Sequence, residues 1–431
     1  MRLISSKDRD FAAIFKTIRM RGRTADPGIN KTVASIIADV AENGDAALFK
    51  YTKKFDGFTP TSQTLEVTGK EKRELASRVP ANVLDLFALA AKRIEAFHER
   101  QASGSWSYSE EDGVKLGQIV RPLGRVGVYC PGGLAFYPSS VLMSAIPAKV
   151  AGVPEVVLVT PARQGRIDPM IAAAARISGV DRIFRIGGAQ AIAALAYGTE
   201  TVPRVDKIVG PGNVYVAVAK KMVFGQVGID MIAGPSEICI IADNSADPSM
   251  IAADLLSQAE HDRMASAVLL TPDEDIARLS RKSLETRLKG LSRGAIARES
   301  IRDYGLMVVT TDMKEAVQIA NEFAPEHLEL MVSRPGALIG KIKNAGAVFT
   351  GNFTPEAIGD YLAGPSHVLP TGGSARFSSP LGVYDFEKRM SLVSFSRRGL
   401  KKYSGAAEMF ATLEGLDAHC ESVRARFVKK S

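Results

Sequence analysis

The sequence predicts an α/β protein of two doubly wound, incomplete Rossmann-like domains, with a helical N-terminal region and a small helical C-terminal tail. Three observations carry this. From about residue 125, short apolar runs rich in β-branched residues alternate with helical patterns, the signature of parallel sheets joined by crossover helices. The alternation starts afresh after Gly234-Pro235-Ser236-Glu237. Glycine-rich turns stand between strand and helix in the first half, as the βα turns of such sheets require.

The first 120 residues read as mostly helical, with 30–50 and 82–100 amphipathic, and 105–120 (SWSYSEEDGVKLGQIV) forms a hairpin or an arm. Val126-Gly127-Val128-Tyr129 is a strand, Pro131-Gly132-Gly133 turns the chain, and a helix capped by Ser139 or Ser140 runs through Val150. Strand 155–159 precedes helix 169–178, and strand 182–186 leads through Gly187-Gly188-Ala189-Gln190 into an alanine-rich helix. Strand 206–209 leads through Gly210-Pro211-Gly212-Asn213 into another helix. The second series has strands at 238–242, 267–270, 306–310 and 347–349, with a helix at 248–260. Expected domains are therefore 1–125 (packing with the first α/β domain), 126–235, 236–372, and a connection and tail over 373–431.

A chain of 431 residues is too long for one core. Its 46% hydrophobic and 24% charged content is that of a globular protein, and no apolar run approaches the roughly 18 residues of a spanning helix. MRLISSKDRDF lacks the apolar core of a signal peptide. Cys130, Cys239 and Cys420 form neither a disulfide framework nor a Cys-x-x-Cys site, so a cytoplasmic protein is expected. The net charge of +8 is dispersed, and clusters such as Arg397-Arg398 and Lys401-Lys402 are short, which argues against nucleic acid as a partner.

Of five histidines, four stand beside metal-ligating or acid–base residues, and His98 on an amphipathic helix is left over. Gln258 and His261 lie three apart on a predicted helix, hence on one face, with Asp254 a turn earlier. Alone, this spacing reads more readily as a polar helix end, and an amide is an uncommon zinc ligand. Asp360 and His419 are candidate partners; together the four make a nitrogen and oxygen set suited to Zn²⁺. Asp360 follows the last strand, near where open α/β sheets place ligands. Adjacent Glu326 and His327, after Pro325 at a helix end, supply two proton-transfer groups, or else a chance surface pair. No G-x-G-x-x-G follows a strand, but backbone amides of the three glycine loops suit a phosphate or pyrophosphate. Tight turns need the same glycines without any ligand.

Taken in order, RVGVYCPGG, PSSVLMSAIPAKVAGV, GGAQAIAALAYGTE, VDKIVGPGN, AGPSEICIIAD, DLLSQAEHD, FAPEHLEL, GDYLAGPSHVLPT and EGLDAH resemble the histidinol dehydrogenases over essentially the whole chain. The resemblance implies oxidation of L-histidinol through L-histidinal to L-histidine with two NAD reduced. It implies zinc ligands Gln258, His261, Asp360 and His419, and the acid–base pair Glu326 and His327. It further implies substrate contacts from Ser236, His367 and Glu414, and NAD contacts from Tyr129, Gln190 and Asn213. The family is a homodimer whose C-terminal tail reaches the neighbour's active site, so Glu414 and His419 would act across the interface. Ser366 stands where many relatives carry Asn, a small polar change. Cys130 suggests a rival thiohemiacetal route, but no base stands near it in sequence. Two further readings compete: a zinc hydrolase in which Glu326 activates water, and a non-catalytic nucleotide or metal sensor.

Overall fold

Numbered along the chain, the strands are β1 (Arg2–Ser5), β2 (Trp106–Ser109), β3 (Val114–Pro122), β4 (Arg125–Tyr129), β5 (Glu155–Val159), β6 (Arg182–Phe184) and β7 (Lys207–Val209). Then follow β8 (Gly228–Ile229), β9 (Glu237–Ala242), β10 (Ser266–Thr271), β11 (Gly305–Val309), β12 (His327–Met331), β13 (Ala347–Thr350) and β14 (Glu387–Phe395). The structure is a computed structural model that describes residues 1–22, 27–132 and 137–428; Gly133 of the first glycine loop lies outside them. The chain divides into one unit of Met1–Gln101 with Leu123–Phe386 and a second of Ala102–Pro122 with Glu387–Ser431.

The larger unit holds two wholly parallel sheets, β6-β5-β4-β7-β8 and β1-β11-β10-β9-β12-β13. In each, successive strands step outward from a central one and then resume on its other side, so the order reverses between β4 and β7 and between β9 and β12. Helices cover both faces, which is why β9 and β10 are buried along their whole length and read as continuous apolar runs rather than alternating ones. The helix Pro27–Asp56, whose backbone breaks from helical geometry at Gly44, packs Val33, Ile36 and Val40 onto one face of the first sheet. The helices Ala81–His98, Pro138–Val150 and Pro169–Ile177 cover the other. His98 is a core residue there, with Nδ1 donating to the Ile94 carbonyl at 2.8 Å.

Residues 2–20 differ from the expected helical region lying against the first sheet. β1 pairs with β11, Arg2 opposite Leu306, and Phe15 and Ile18 of the helix Phe11–Met20 join the core of the second sheet. Four residues carry too little periodicity to announce a strand; what places β1 is the open edge of β11, which it covers.

In the smaller unit β2 and β3 form the hairpin, with Trp106 opposite Gln118. The expected helical tail also contributes β14, paired antiparallel with β3 from Glu387 opposite Pro122 to Phe395 opposite Val114. β14 is exposed or half-buried throughout, so no buried face imposes an alternating pattern on its sequence. Helices Arg397–Leu413 and Asp417–Arg424 complete this unit. No helix among the described residues is long and apolar enough to cross a membrane.

Candidate active site

The helix Met313–Phe323 ends on Ala324, which takes left-handed backbone angles (φ 52°), a strained choice for a residue with a Cβ. Pro325 follows, and β12 begins at His327, so the turn sets Glu326 and His327 at the amino end of a central strand. Both are buried. His327 Nδ1 lies 3.0 Å from the carbonyl of Glu237 on neighbouring β9. A carbonyl only accepts, so Nδ1 carries the proton and Nε2 is left with a free lone pair. Nε2 faces Glu356 Oε1 at 3.9 Å. Burial drives the His327 pKa down to about 4, and the ring is therefore neutral at neutral pH. Glu326 Oε2 accepts the Glu237 backbone N–H at 2.9 Å, while the Glu326 N–H donates to Glu237 Oε2 at 3.3 Å. Burial, reinforced by the charges of Glu237, Glu356 and Asp360, holds the Glu326 carboxyl well above the usual range, against the lowering effect of that hydrogen bond.

His261, at the end of the segment after helix Pro248–Ala259, meets Glu356 and Asp360 of the short helix Glu356–Tyr361. One ligand atom from each lies within 4.8 Å of the others, a nitrogen and oxygen set able to hold a divalent ion. Gln258, one helical turn before His261, is fully buried, and neither its amide oxygen nor its nitrogen has a hydrogen-bond partner. A buried amide with nothing to bind is costly, and a metal ion at the oxygen is one way to satisfy it, so the residues fit the implied ion. Glu356 stands one turn before Asp360 on this helix, which is too short for its sequence to mark the residue as part of the site. Burial and the Asp360 charge raise its pKa to about 8, despite a hydrogen bond from Ser257 Oγ. A bound cation would reverse that direction.

His367 Nδ1 donates to the Asp360 carbonyl at 3.0 Å, and its Nε2 lies 3.4 Å from Ser140 Oγ at the start of the helix after β4. Burial lowers its pKa, so it too is neutral. Ser236 is half-buried just before β9, and Ser366 donates to the Met143 carbonyl at 3.3 Å. The structure thus brings His261, Glu326, His327, Glu356, Asp360 and His367 together. They gather at the amino ends of β9 and β12, and not at the carboxyl ends where open sheets usually receive ligands. Glu414 and His419 belong to the smaller unit, where both are exposed.

Tyr129, Gln190 and Asn213 stand at or just after the carboxyl ends of β4, β6 and β7. The Tyr129 hydroxyl accepts the Gly188 N–H at 3.0 Å, and buried Gln190 has both amide atoms without a partner. Asn213 caps the helix Val214–Val223 through Oδ1. Gly210 has φ 109°, and a Cβ there would sit 2.2 Å from the Tyr129 carbonyl oxygen, so only glycine fits. This loop is braced from below. Buried Lys220 pairs with Asp230 and donates to the Gly210 carbonyl at 2.9 Å, and Asp230 Oδ2 accepts the Gly210 N–H at 2.8 Å. Lys220→Met leaves Asp230 charged, buried and unpaired, and is expected to cost about 3–5 kcal/mol in urea unfolding. Cys130 is buried and its thiol is pushed up to about 12, which makes it a poor nucleophile.

The histidinol dehydrogenase family model matches residues 19–427. The chain is 56% identical over 426 residues to the histidinol dehydrogenase of Syntrophotalea carbinolica, covering 99% of each. It is 53% identical over 427 residues to that of Geobacter metallireducens, covering 99% of this chain and 98% of the other. The crystal structure of histidinol dehydrogenase from Elizabethkingia anophelis matches the fold with a TM-score of 0.93 at 36% identity, over 99% of this chain and 98% of that one. On all three comparisons, the chain belongs to the histidinol dehydrogenase family of oxidoreductases.

Proposed function

We propose that the protein oxidises L-histidinol through the aldehyde to L-histidine, with two NAD reduced and one Zn²⁺ per subunit, as a cytoplasmic homodimer. The observation that carries the reading is His327. It is a buried, neutral imidazole whose proton is fixed on Nδ1 by the Glu237 carbonyl, so Nε2 is left as a base beside a cluster of potential metal ligands. Gln258, His261 and Asp360, with His419 from the partner's tail, would hold the ion. Tyr129, Gln190 and Asn213 would contact NAD; Ser236, His367 and Glu414, the last also from the partner's tail, would contact the substrate.

When bound, NAD would accept the hydrides and Zn²⁺ would hold the substrate nitrogens and orient the carbinol carbon. His327 Nε2 takes the hydroxyl proton as the carbinol carbon loses its first hydride. The Glu326 carboxylate then takes a proton from water as the water oxygen bonds to the aldehyde carbon. His327, protonated in the first step, gives its proton to the carbonyl oxygen to complete the hydrate and takes it back as the second hydride leaves. The hydrate loses a second hydride and a proton, and the product acid ionises.

The test is a stoichiometry. Two NADH per histidinol, lost on chelation and restored by Zn²⁺, is the expected result. One NADH per substrate removes the second oxidation, and none, the outcome of a hydrolase, removes the reading.

A further inference from the structure

Arg21 follows the helix Phe11–Met20, and its side chain is only 2% exposed. Burying a guanidinium is expensive unless its donors are used, and here they are. Nε donates to the Met264 carbonyl at 2.8 Å, Nη1 to the Ile18 carbonyl at 2.8 Å, and Nη2 to the Ser236 carbonyl at 3.2 Å. Nη2 also faces Glu237 Oε1 at 3.1 Å, a carboxylate 1% exposed. The other oxygen of that carboxylate accepts the Glu326 N–H at 3.3 Å.

The two proton-transfer residues depend on Glu237 in different ways. His327 is held by the Glu237 backbone carbonyl, and its own backbone lies in the sheet ladder opposite Ile238. Glu326 stands one residue before that ladder, and its N–H finds its acceptor in the Glu237 side chain. That side chain in turn is held by Arg21, together with a backbone hydrogen bond from Gly372. The Glu326 carboxylate also accepts the Glu237 N–H and its carbonyl the Ala347 N–H, so disturbing the ion pair frees Glu326 at its own N–H, whereas no contact that holds His327 uses that side chain.

We propose that Arg21 and Glu237 are a positioning pair that aims the Glu326 carboxylate at the water of the second oxidation. This rests on the function proposed above. The bonds are those already written: the water oxygen joins the aldehyde carbon, Glu326 takes the water proton, and the hydrate gives its hydride to NAD. A displaced Glu326 slows this half and lets aldehyde escape, while the first oxidation continues through His327.

The test uses the zinc-loaded enzyme with histidinol, NAD and a carbonyl trap, comparing the parent with Glu237→Leu, which removes the acceptor of the Glu326 N–H, and with the charge-neutral double variant Arg21→Met/Glu237→Leu. In both variants histidine formation is expected to fall on the order of 10- to 100-fold, as for an ångström-scale misplacement of a reacting group. NADH per histidine rises above two, aldehyde appears in the trap, and KM for histidinol stays near the parent value. A smaller folded fraction lowers all rates together and leaves the ratio at two, so variants holding that ratio overturn the proposal. An unfolded double variant overturns it as well, because the pair would then be holding the fold. A parent that forms no NADH from histidinol fails the functional reading itself, and the positioning role falls with it.

Discussion

Glu326→Gln is expected to cut histidine formation roughly 10²- to 10⁴-fold, the span a positioned proton-transfer group contributes, while histidinol still yields aldehyde and NADH. The amide has the size of the carboxyl and keeps an oxygen for the Glu237 N–H, which now lies 2.9 Å from Glu326 Oε2. What it lacks is the basicity to take a proton from water. The same change is expected to raise stability. Burial lifts the Glu326 pKa well above its ordinary 4.5. A carboxyl with a raised folded pKa gives stability that is present below the unfolded value and lost as pH rises through the folded one. Glutamine has no proton to lose, so the variant's advantage over the parent grows from about pH 4.5 upward. Urea unfolding of the metal-free proteins at pH 5 and pH 8 checks the sign. A variant that loses stability along with activity would make Glu326 a structural residue.

How far the sequence reaches is clearest residue by residue. His261, His327, Asp360 and His367 were legible because a scarce side chain stood beside a carboxylate or amide each time, and the structure gathers all four. The two parallel sheets were legible from their unbroken apolar strands, whose pattern is set by burial on both faces. Glu356 was not, because the helix Glu356–Tyr361 has six residues and too few turns to show a period. Arg21 and Glu237 were hidden for a different reason. Glu237 lies 89 residues from Glu326 in the chain, and only the register of β9 against β12 brings them together. Nor does a rule about sheets in general foresee a site at the amino ends of β9 and β12. That placement follows from the turn at Ala324 and Pro325, a local feature of one connection. β1 and β14 escaped because one is four residues long and the other has no buried face.

Gln258→Leu should separate what the folded chain prefers from what the ion requires. Gln258 is fully buried with both amide atoms unpartnered, a condition that costs about 1–3 kcal/mol per unsatisfied group. Leucine has similar bulk and nothing to satisfy, so the metal-free variant is expected to exceed the metal-free parent in stability by about that amount. Zinc should invert the order. A ligand that binds only the folded state adds about 4.1 kcal/mol at a thousand times its Kd, more than the variant's metal-free advantage. On the proposed ligand set of Gln258, His261 and Asp360 the parent would receive that gain while the variant largely forgoes it. Thermal unfolding with and without Zn²⁺ therefore gives two curves that cross, and NADH formation follows zinc content. A variant less stable than the parent without metal, or stabilised equally by zinc, would show that Gln258 is an ordinary packing residue. If the curves cross, the strain of an unsatisfied amide is what the protein accepts in exchange for a donor at the metal, which is the usual relation between a functional site and the stability of its scaffold.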